Sequence, residues 1–362
     1  MRAGNRRHGE TINAFASLGE LPVYDGGVPP LLELRDLTVE LPTPSGWVRP
    51  VNGVNLTIEP GQALGLVGES GSGKTMLALS LMGLLPEGAR MAGEAWFAPG
   101  NGAAHSRCNL VSLGERERSA LRGGGMAMIF QEPMTSLNPV MRVGTQVAES
   151  IRAHDRSLTG GSLSRREADS RVVDALARAR VPEPELRTRQ FPHQLSGGLR
   201  QRAMIAMALA GAPRLLIADE PTTALDVTVQ KQILELLSEL RRELGLALLF
   251  ITHDLAVVAQ VAERIAVLYA GRVVEDGSAS EVLSRPRHPY TEGLLRASPS
   301  LARRTLEPIP GAVPALGALP PGCAFEPRCA YRREACTAAV PEMRSAGAGH
   351  AARCILVDEA RR

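Results

Sequence analysis

The alternation of apolar and polar residues predicts several strands along the chain. Period-two segments begin near residue 31 and predict a strand that is interrupted at Arg35–Asp36. The apolar positions of that strand are Leu32, Leu34, Leu37, Val39 and Leu41. Shorter apolar runs predict further strands at residues 51–58, 63–67, 215–217 and 247–252, and a hairpin at 265–274.

Helical spacing of apolar residues separates these runs. The stretch from about 135 to 195 is predicted to be mainly helical, with a capping box at Ser164–Glu167 and a stop at Pro182. A long amphipathic helix is predicted around residues 233–244. Strands that alternate with helices predict a parallel sheet covered on both faces, which is an α/β fold.

Composition narrows the possible classes of protein. The chain has 362 residues and a net charge of +3, and only 3% of its residues are aromatic, so neither a basic nucleic-acid surface nor a base-stacking platform is indicated. No apolar stretch reaches the ~20 residues that span a bilayer, and the charged N-terminus lacks the apolar core of a secretory signal. We therefore expect a cytosolic protein that reaches a membrane only through partners.

The amino-acid composition changes along the chain and divides it into three regions. Residues 1–30 have the composition of a flexible tail, and residues 31–280 carry the alternating strands and helices. Residues 281–362 are rich in proline, alanine and arginine and contain clustered cysteines. We expect this last region to be a small, irregular extension of the main domain.

A glycine-rich segment between the strand at 63–67 and a helical run fits G-x-x-x-x-G-K-[ST] at every specified position. This strand–loop–helix context is the one that a phosphate-binding loop requires. Lys74 would reach the terminal phosphates and Thr75 would offer its hydroxyl to Mg²⁺, while backbone N–H groups and the helix N-terminus attract the phosphates. Lysine is rare in this chain, since Lys231 is the only other one. The predicted nucleotide-binding residues are Gly68, Glu69, Ser70, Gly71, Ser72, Gly73, Lys74 and Thr75.

Two carboxylates end the apolar run at 215–217. Asp219 would hold Mg²⁺ and Glu220 would polarise an attacking water. An acidic pair after a strand can also serve as a helix cap. Its position downstream of a phosphate loop favours the catalytic interpretation.

A second phosphate-seeking element lies about 120 residues after the first. Ser196, Gly197 and Gly198 open a helix, so they present another helix N-terminus to an anion. With this element the sequence resembles an ATP-binding cassette (ABC) ATPase over residues 31–280. The resemblance also rests on Gln131 in the Q-loop, residues 223–226 of the D-loop and His253 in the switch.

The resemblance implies a P-loop NTPase fold with a RecA-like core, an antiparallel β subdomain and a helical subdomain at about 135–200. It implies that the 196–198 signature and Asp226 act on the nucleotide of a second subunit. It further implies that Gln131 senses Mg²⁺ and the membrane partner, and that His253 contacts the terminal phosphate. The residues implied in catalysis are therefore Glu220, His253 and Gln131, and those at Mg²⁺ are Thr75, Gln131 and Asp219. The position of the family's adenine-stacking aromatic is Leu41 here, and whether Trp47 substitutes for it stays open.

The C-terminal region resembles the extension of oligopeptide and dipeptide (peptide/nickel) importer ATPases. The resemblance rests on residues 287–295, 308–311 and 322–329, together with the segment 130–139. It favours a [4Fe–4S] cluster at Cys323, Cys329, Cys336 and Cys354. Bound zinc and free thiols remain alternatives to the cluster, although the cysteine spacings lack the C-x2-4-C pattern of common zinc sites. Cys108 lies far upstream and is interpreted as an ordinary small residue.

These features predict the ATP-hydrolysing subunit of a peptide importer, bound peripherally at the cytoplasmic face of the inner membrane. Its expected partners are a second ABC ATPase in a heterodimer, two transmembrane permeases and an extracytoplasmic peptide-binding protein. One alternative is a soluble ABC ATPase that acts on DNA or ribosomes. Two features count against it: Gln131 and Ser196 are only 65 positions apart, and the chain has a single cassette. A second alternative is a redox-sensing ATPase that carries an iron–sulfur cluster at the four cysteines.

Overall fold

The computed structural model describes residues 29–99, 107–131, 136–159, 163–223, 225–298 and 307–357. The predicted tail falls outside these ranges except for residues 29 and 30. Residues 132–135, which follow Gln131, and Ala224 of the D-loop also lie outside them.

Twelve strands occur within the described residues. They are β1 Leu32–Thr43, β2 Gly46–Ile58, β3 Ala63–Val67, β4 Arg90–Phe97, β5 Cys108–Asn109, β6 Met126–Ile129, β7 Leu215–Asp219, β8 Ala247–Thr252, β9 Arg264–Tyr269, β10 Arg272–Ser278, β11 Arg344–Gly347 and β12 His350–Ala352.

The α-helices of the described residues lie mostly between strands. They are α1 Lys74–Met82, α2 Glu115–Leu121, α3 Val143–Thr159, α4 Arg165–Arg178, α5 Pro184–Arg187, α6 Gly197–Leu209, α7 Val227–Leu244, α8 Leu255–Val258, α9 Ala279–Ser284, α10 Pro289–Ala297 and α11 Ala335–Ala338. Short 3₁₀ turns cover Pro192–Gln194 and Glu326–Arg328. None of the helices in the described part of the chain is long and apolar enough to cross a membrane.

An eight-stranded sheet in the order β11-β12-β10-β9-β3-β8-β7-β6 forms the centre of the protein. The five strands β9, β3, β8, β7 and β6 run parallel to one another, whereas β10 pairs antiparallel with β9. Strands β3, β7 and β8 are buried along their whole length. Two clusters of buried hydrophobic side chains cover the sheet. The predicted parallel sheet with both faces covered is therefore confirmed.

The direction of these strands determines where the site lies. Val67 at the end of β3 pairs with Thr252 of β8, and Asp219 at the end of β7 pairs with Ile251. The carboxyl ends of β3, β6, β7 and β8 thus meet at one edge of the sheet, where ligands bind in open α/β folds. The phosphate loop follows β3, Gln131 follows β6, Glu220 follows Asp219 at the end of β7, and His253 follows β8. The signature residues 196–198 lie elsewhere, at the start of α6.

A second sheet, ordered β2-β1-β4-β5, is antiparallel and confirms the implied β subdomain. The predicted interruption of β1 is a change in pairing register between Leu34 and Leu37, with Asp36 at φ 49°. Gly93 of β4 lies opposite this bulge, where a Cβ atom would come within 2.4 Å of the Asp36 carbonyl oxygen.

Helices α3, α4 and α5 lie between residues 143 and 187, and α6 begins at Gly197. Ser164 caps α4, since its Oγ accepts a hydrogen bond from the N–H of Glu167 and its own N–H donates to the Glu167 carboxylate at 3.0 Å. The predicted capping box is confirmed, although α4 ends at Arg178, before Pro182.

The C-terminal region continues the main sheet, because Glu275 and Asp276 of β10 pair with β12. The buried carboxylate of Glu275 accepts a hydrogen bond from the His288 N–H at 2.8 Å and lies 2.8 Å from Nε2 of His350. These contacts attach both α10 and the β11–β12 hairpin to the nucleotide-binding core. The sequence analysis did not predict this hairpin.

Candidate functional site

The phosphate loop is tight and admits few side chains. It leaves the buried strand β3 at Gly68 and enters α1 at Lys74. A Cβ at Gly68 would lie 2.2 Å from the Leu268 carbonyl oxygen, and one at Gly73 would lie 1.9 Å from that of Pro50. Gly73 also has φ 107°, which L side chains rarely adopt. The glycines are therefore required for the path of the loop itself.

Lys74 lies across this loop. Its Nζ donates to the carbonyl oxygens of Gly68 at 2.7 Å and Glu69 at 3.0 Å. Burial lowers the pKa of Lys74, and the carboxylates of Glu220, Asp219 and Glu69 oppose that shift. The ammonium group is thus held among acidic groups at the place where a triphosphate would bring negative charge.

Asp219 ends β7 beside Thr75 and has the properties of a cation ligand. Burial raises the pKa of its carboxyl group, and a hydrogen bond with the Thr75 side chain works in the opposite direction. Its Oδ1 atom is buried and makes no hydrogen bond. A buried carboxylate oxygen without a donor fits the oxygen ligation of Mg²⁺. The donor set of Thr75 and Asp219 therefore suits the ion that accompanies ATP.

Glu220 occupies the centre of a polar group at the end of the sheet. Its Oε2 accepts hydrogen bonds from Gln131 Nε2 at 3.2 Å and Thr223 Oγ1 at 2.9 Å, and its Oε1 lies 3.3 Å from His253 Nδ1. The hydrogen bond with His253 lowers the pKa of Glu220 and raises that of His253. The carboxylate is consequently ionised at neutral pH, as a base that orients water must be.

The signature residues begin α6. Ser196 caps this helix with its Oγ, which accepts from the Leu199 N–H at 3.4 Å, and both Ser196 and Gly197 are exposed. A Cβ at Gly198 would come within 2.6 Å of Val229 in α7. Asp226 caps α7 by accepting from the Val229 N–H at 2.9 Å. The signature thus presents a free helix N-terminus that an anion from outside can approach.

The two positions considered for adenine stacking, Leu41 and Trp47, have different surroundings. Leu41 is only partly buried, and Trp47 is 45% exposed with the Arg90 guanidinium 4.0 Å from its ring centre. Phe191, just before the signature, stacks on His193 at 5.7 Å. These contacts leave the base-stacking residue unassigned.

The four cysteines of the C-terminal region lie in one neighbourhood. The N–H of Cys323 donates to the Cys336 carbonyl oxygen at 2.8 Å. Burial, together with the nearby Cys336, Cys354 and Cys329, raises the pKa of Cys323 to about 11. Within the described ranges, however, no group of three or more His, Cys, Asp or Glu side chains is arranged to hold a metal ion. The four thiols therefore lie near one another, but they are not arranged as the ligands of a metal ion.

Cys108 lies apart from this neighbourhood. It is buried, and its Sγ contacts the Phe97 carbonyl oxygen at 3.7 Å. This position agrees with the prediction of an ordinary packing residue.

Two residues that the sequence analysis did not select contact the phosphate loop. Arg328 forms an ion pair with the Glu69 carboxylate, and the Tyr290 hydroxyl accepts a hydrogen bond from the Glu69 N–H at 2.7 Å. Both come from the C-terminal region. Tyr290 lies inside the motif at 287–295 and Arg328 lies inside the motif at 322–329, but neither motif indicated a contact with the phosphate loop.

Comparison with known proteins gives two family matches. A model described as "ABC transporter" matches residues 51–223, and one described as "Oligopeptide/dipeptide transporter, C-terminal region" matches residues 274–336. The oligopeptide transport ATP-binding protein OppD of Salmonella typhimurium is 48% identical, over 86% of this chain and 89% of its own. OppD of Bacillus subtilis is 47% identical, over 79% of this chain and 77% of its own.

Solved structures agree with these matches. The dimeric ATP-binding cassette MJ0796 bound to ADP and Pi has a TM-score of 0.56 and 27% identity, over 68% of this chain and 98% of its own. The cbiO1 protein of Clostridium perfringens, part of the ABC transporter complex cbiONQ, has a TM-score of 0.54 and 26% identity, over 71% of this chain and 91% of its own.

Proposed function

The chain belongs to the ABC transporter family of ATP-binding proteins, and on that basis we propose that it hydrolyses ATP to drive uptake through a peptide importer. One observation carries this proposal. The ends of β3, β7 and β8 bring the phosphate loop, Glu220 and His253 together in a chain whose C-terminal region matches that of peptide transporters. Neither a DNA- or ribosome-directed ATPase nor a redox sensor is favoured by that match.

Peptide uptake by the assembled transporter tests the function. Proteoliposomes would contain the permeases, this subunit and its partner ATPase, with a peptide-loaded binding protein on the opposite side. We expect labelled peptide to cross only when ATP is supplied on the side of the ATPases. Uptake that needs no ATP, or hydrolysis that responds to DNA or ribosomes instead of permeases, would reject the proposal.

The chain's own residues divide the work of hydrolysis. Lys74 and the loop amides would hold the phosphates, and Thr75, Asp219 and Gln131 would hold Mg²⁺, which neutralises phosphate charge when bound. Glu220 would orient and polarise the attacking water. His253 would contact the terminal phosphate and hold the Glu220 carboxylate in place.

The exposed signature supports a shared site. In this proposal Ser196, Gly197, Gly198 and Asp226 act on ATP held by the phosphate loop of a second ATPase subunit, and a heterodimer is the expected pair. Two transmembrane permeases would dock on the segment around Gln131, and an extracytoplasmic binding protein would deliver the peptide. The subunit would then work at the cytoplasmic face of the inner membrane as a peripheral protein.

For the C-terminal region we propose a [4Fe–4S] cluster held by Cys323, Cys329, Cys336 and Cys354. Support comes from four thiols in one neighbourhood of a chain that has five cysteines. Their present arrangement is not a ligand set, so the segment would have to adjust to bind the cluster. No step of ATP hydrolysis is assigned to it.

Metal analysis of full-length protein purified without oxygen tests this proposal. We expect about four iron and four sulfide ions per chain, because a [4Fe–4S] cluster contains four of each and the four cysteines would ligate one cluster. Cys336→Ser should lose most of the iron, while Cys108→Ser, which removes the remote thiol, should retain it. One zinc per chain, or no bound metal at all, would show that the cluster assignment is wrong.

A further inference from the structure

The phosphate loop contains a carboxylate at a place where negative charge is unfavourable. Glu69 directly follows Gly68, and its side chain is 30% exposed. Its charge is close enough to oppose the lowering of the Lys74 pKa. A free carboxylate there would repel the phosphates of ATP, since like charges near a protein surface interact by a few kcal/mol at about 4 Å. The loop therefore needs a cation to neutralise Glu69.

Arg328 supplies that cation from a distant part of the chain. Its two terminal nitrogens donate to the two oxygens of the Glu69 carboxylate, at 2.7 and 3.0 Å. The residues are 259 positions apart. The side chain of Arg328 is only 4% exposed, so water screens this bidentate pair weakly.

The surroundings of Arg328 hold it in this position. Its Nε donates to the Pro310 carbonyl oxygen at 2.9 Å, and a terminal nitrogen also reaches the Tyr269 hydroxyl at 3.3 Å. The guanidinium lies 5.8 Å from the Phe325 ring centre and 5.9 Å from that of Tyr269. Arg328 is thus packed in an aromatic pocket and aimed at the loop.

Tyr290 holds the backbone of the same loop residue. Its hydroxyl accepts the Glu69 N–H at 2.7 Å, and its ring packs 4.5 Å from Tyr269 and 5.4 Å from Phe325. The ring is fully buried. The C-terminal region therefore grips both the main chain and the side chain of Glu69.

We propose that Arg328 and Tyr290 are positioning residues of the nucleotide site, through which the C-terminal region sets the affinity for MgATP. Arg328 neutralises Glu69, and the two residues together fix the path of the loop. The C-terminal region is then a working part of the ATP site. This inference rests on the proposed ATPase function.

Substitution of Arg328 in the full-length chain tests the inference. Arg328→Gln leaves the Glu69 carboxylate unpaired beside the phosphates, so we expect MgATP affinity to fall about tenfold, as for the loss of a charged hydrogen bond. In the assembled transporter KM should rise by a similar factor, with kcat changed less than about twofold. Tyr290→Phe removes only the acceptor and should weaken binding by a smaller factor.

Two further variants distinguish the neutralisation of the Glu69 charge from general structural support of the loop. Arg332→Gln is the matched control, because Arg332 is 69% exposed and pairs with Glu326 at 3.5 Å in the same region. It should bind MgATP like the wild type. The double variant Glu69→Gln/Arg328→Gln lacks the repelling carboxylate and should recover most of the lost affinity.

The outcomes are distinguishable. Wild-type affinity in Arg328→Gln overturns the inference, and so does a double variant as weak as Arg328→Gln with the same loss of melting temperature. In both cases the wild type still binds and hydrolyses MgATP, so the proposed function stands. Wild-type protein that fails to bind MgATP contradicts the function itself.

Discussion

Glu220→Gln is expected to bind MgATP with unchanged affinity but to hydrolyse it roughly 10²- to 10⁴-fold more slowly, the usual contribution of a general base. Glutamine keeps the size of the side chain and can still accept the hydrogen bond from Thr223. It cannot accept a proton from water, and it removes the carboxylate whose hydrogen bond and charge raise the pKa of His253. Phosphate release and MgATP binding, measured on the same preparation, check the two halves of this expectation.

The same variant also tests whether two ATPase subunits share the ATP site. If hydrolysis separates the two ATPase subunits, Glu220→Gln should accumulate with ATP as a stable pair with its companion ATPase, visible by light scattering. Glu235→Gln is the matched control, since Glu235 is a half-exposed residue of α7 that pairs weakly with Lys231. Steady hydrolysis by the Glu220→Gln protein would remove Glu220 from the role of base.

Lys74→Ala is expected to lower MgATP affinity by at least about 100-fold. The change removes the one ammonium group that lies across the loop. The negative charges of Asp219 and Glu220 then lose a nearby positive charge and would repel the phosphates more strongly. Two charge-assisted hydrogen bonds to phosphate are worth about 1.5–3 kcal/mol each, and tenfold in affinity corresponds to 1.4 kcal/mol. Competition against a fluorescent ATP analogue measures the loss.

The chain offers an unusually clean control for this variant. Lys231 is the only other lysine, and it is 72% exposed on α7. Lys231→Ala should bind MgATP like the wild type. Melting curves of both variants report whether the buried position of Lys74 costs stability. A Lys74→Ala protein that is folded and retains wild-type affinity would contradict the assignment of the phosphate loop.

Local patterns predicted the parts of the fold that local interactions determine. The capping box at Ser164 and the interruption of β1 at Asp36 were both foreseen, because each depends on residues a few positions apart. The phosphate loop, Glu220 and His253 could be located in the sequence, since each lies directly at the end of a buried apolar strand. Their chemical roles remain predictions.

Pairing between distant segments could not be foreseen in the same way. Gly93 breaks the alternation of β4, because that strand must pass close to the Asp36 bulge of β1. Strand β12 has three residues and becomes a strand through pairing with β10. The contact of Arg328 with Glu69 depends on the complete tertiary fold, and although each residue lies inside a motif, neither motif signals that the two side chains meet.

Calorimetric titration of the full-length protein with MgATP tests the central claim most directly. We expect one saturable site per chain with a dissociation constant between roughly 1 µM and 1 mM, the range in which enzymes bind their substrates. The signal should be lost in Lys74→Ala and retained in Lys231→Ala. Folded wild-type protein that takes up no MgATP at millimolar concentration would contradict it.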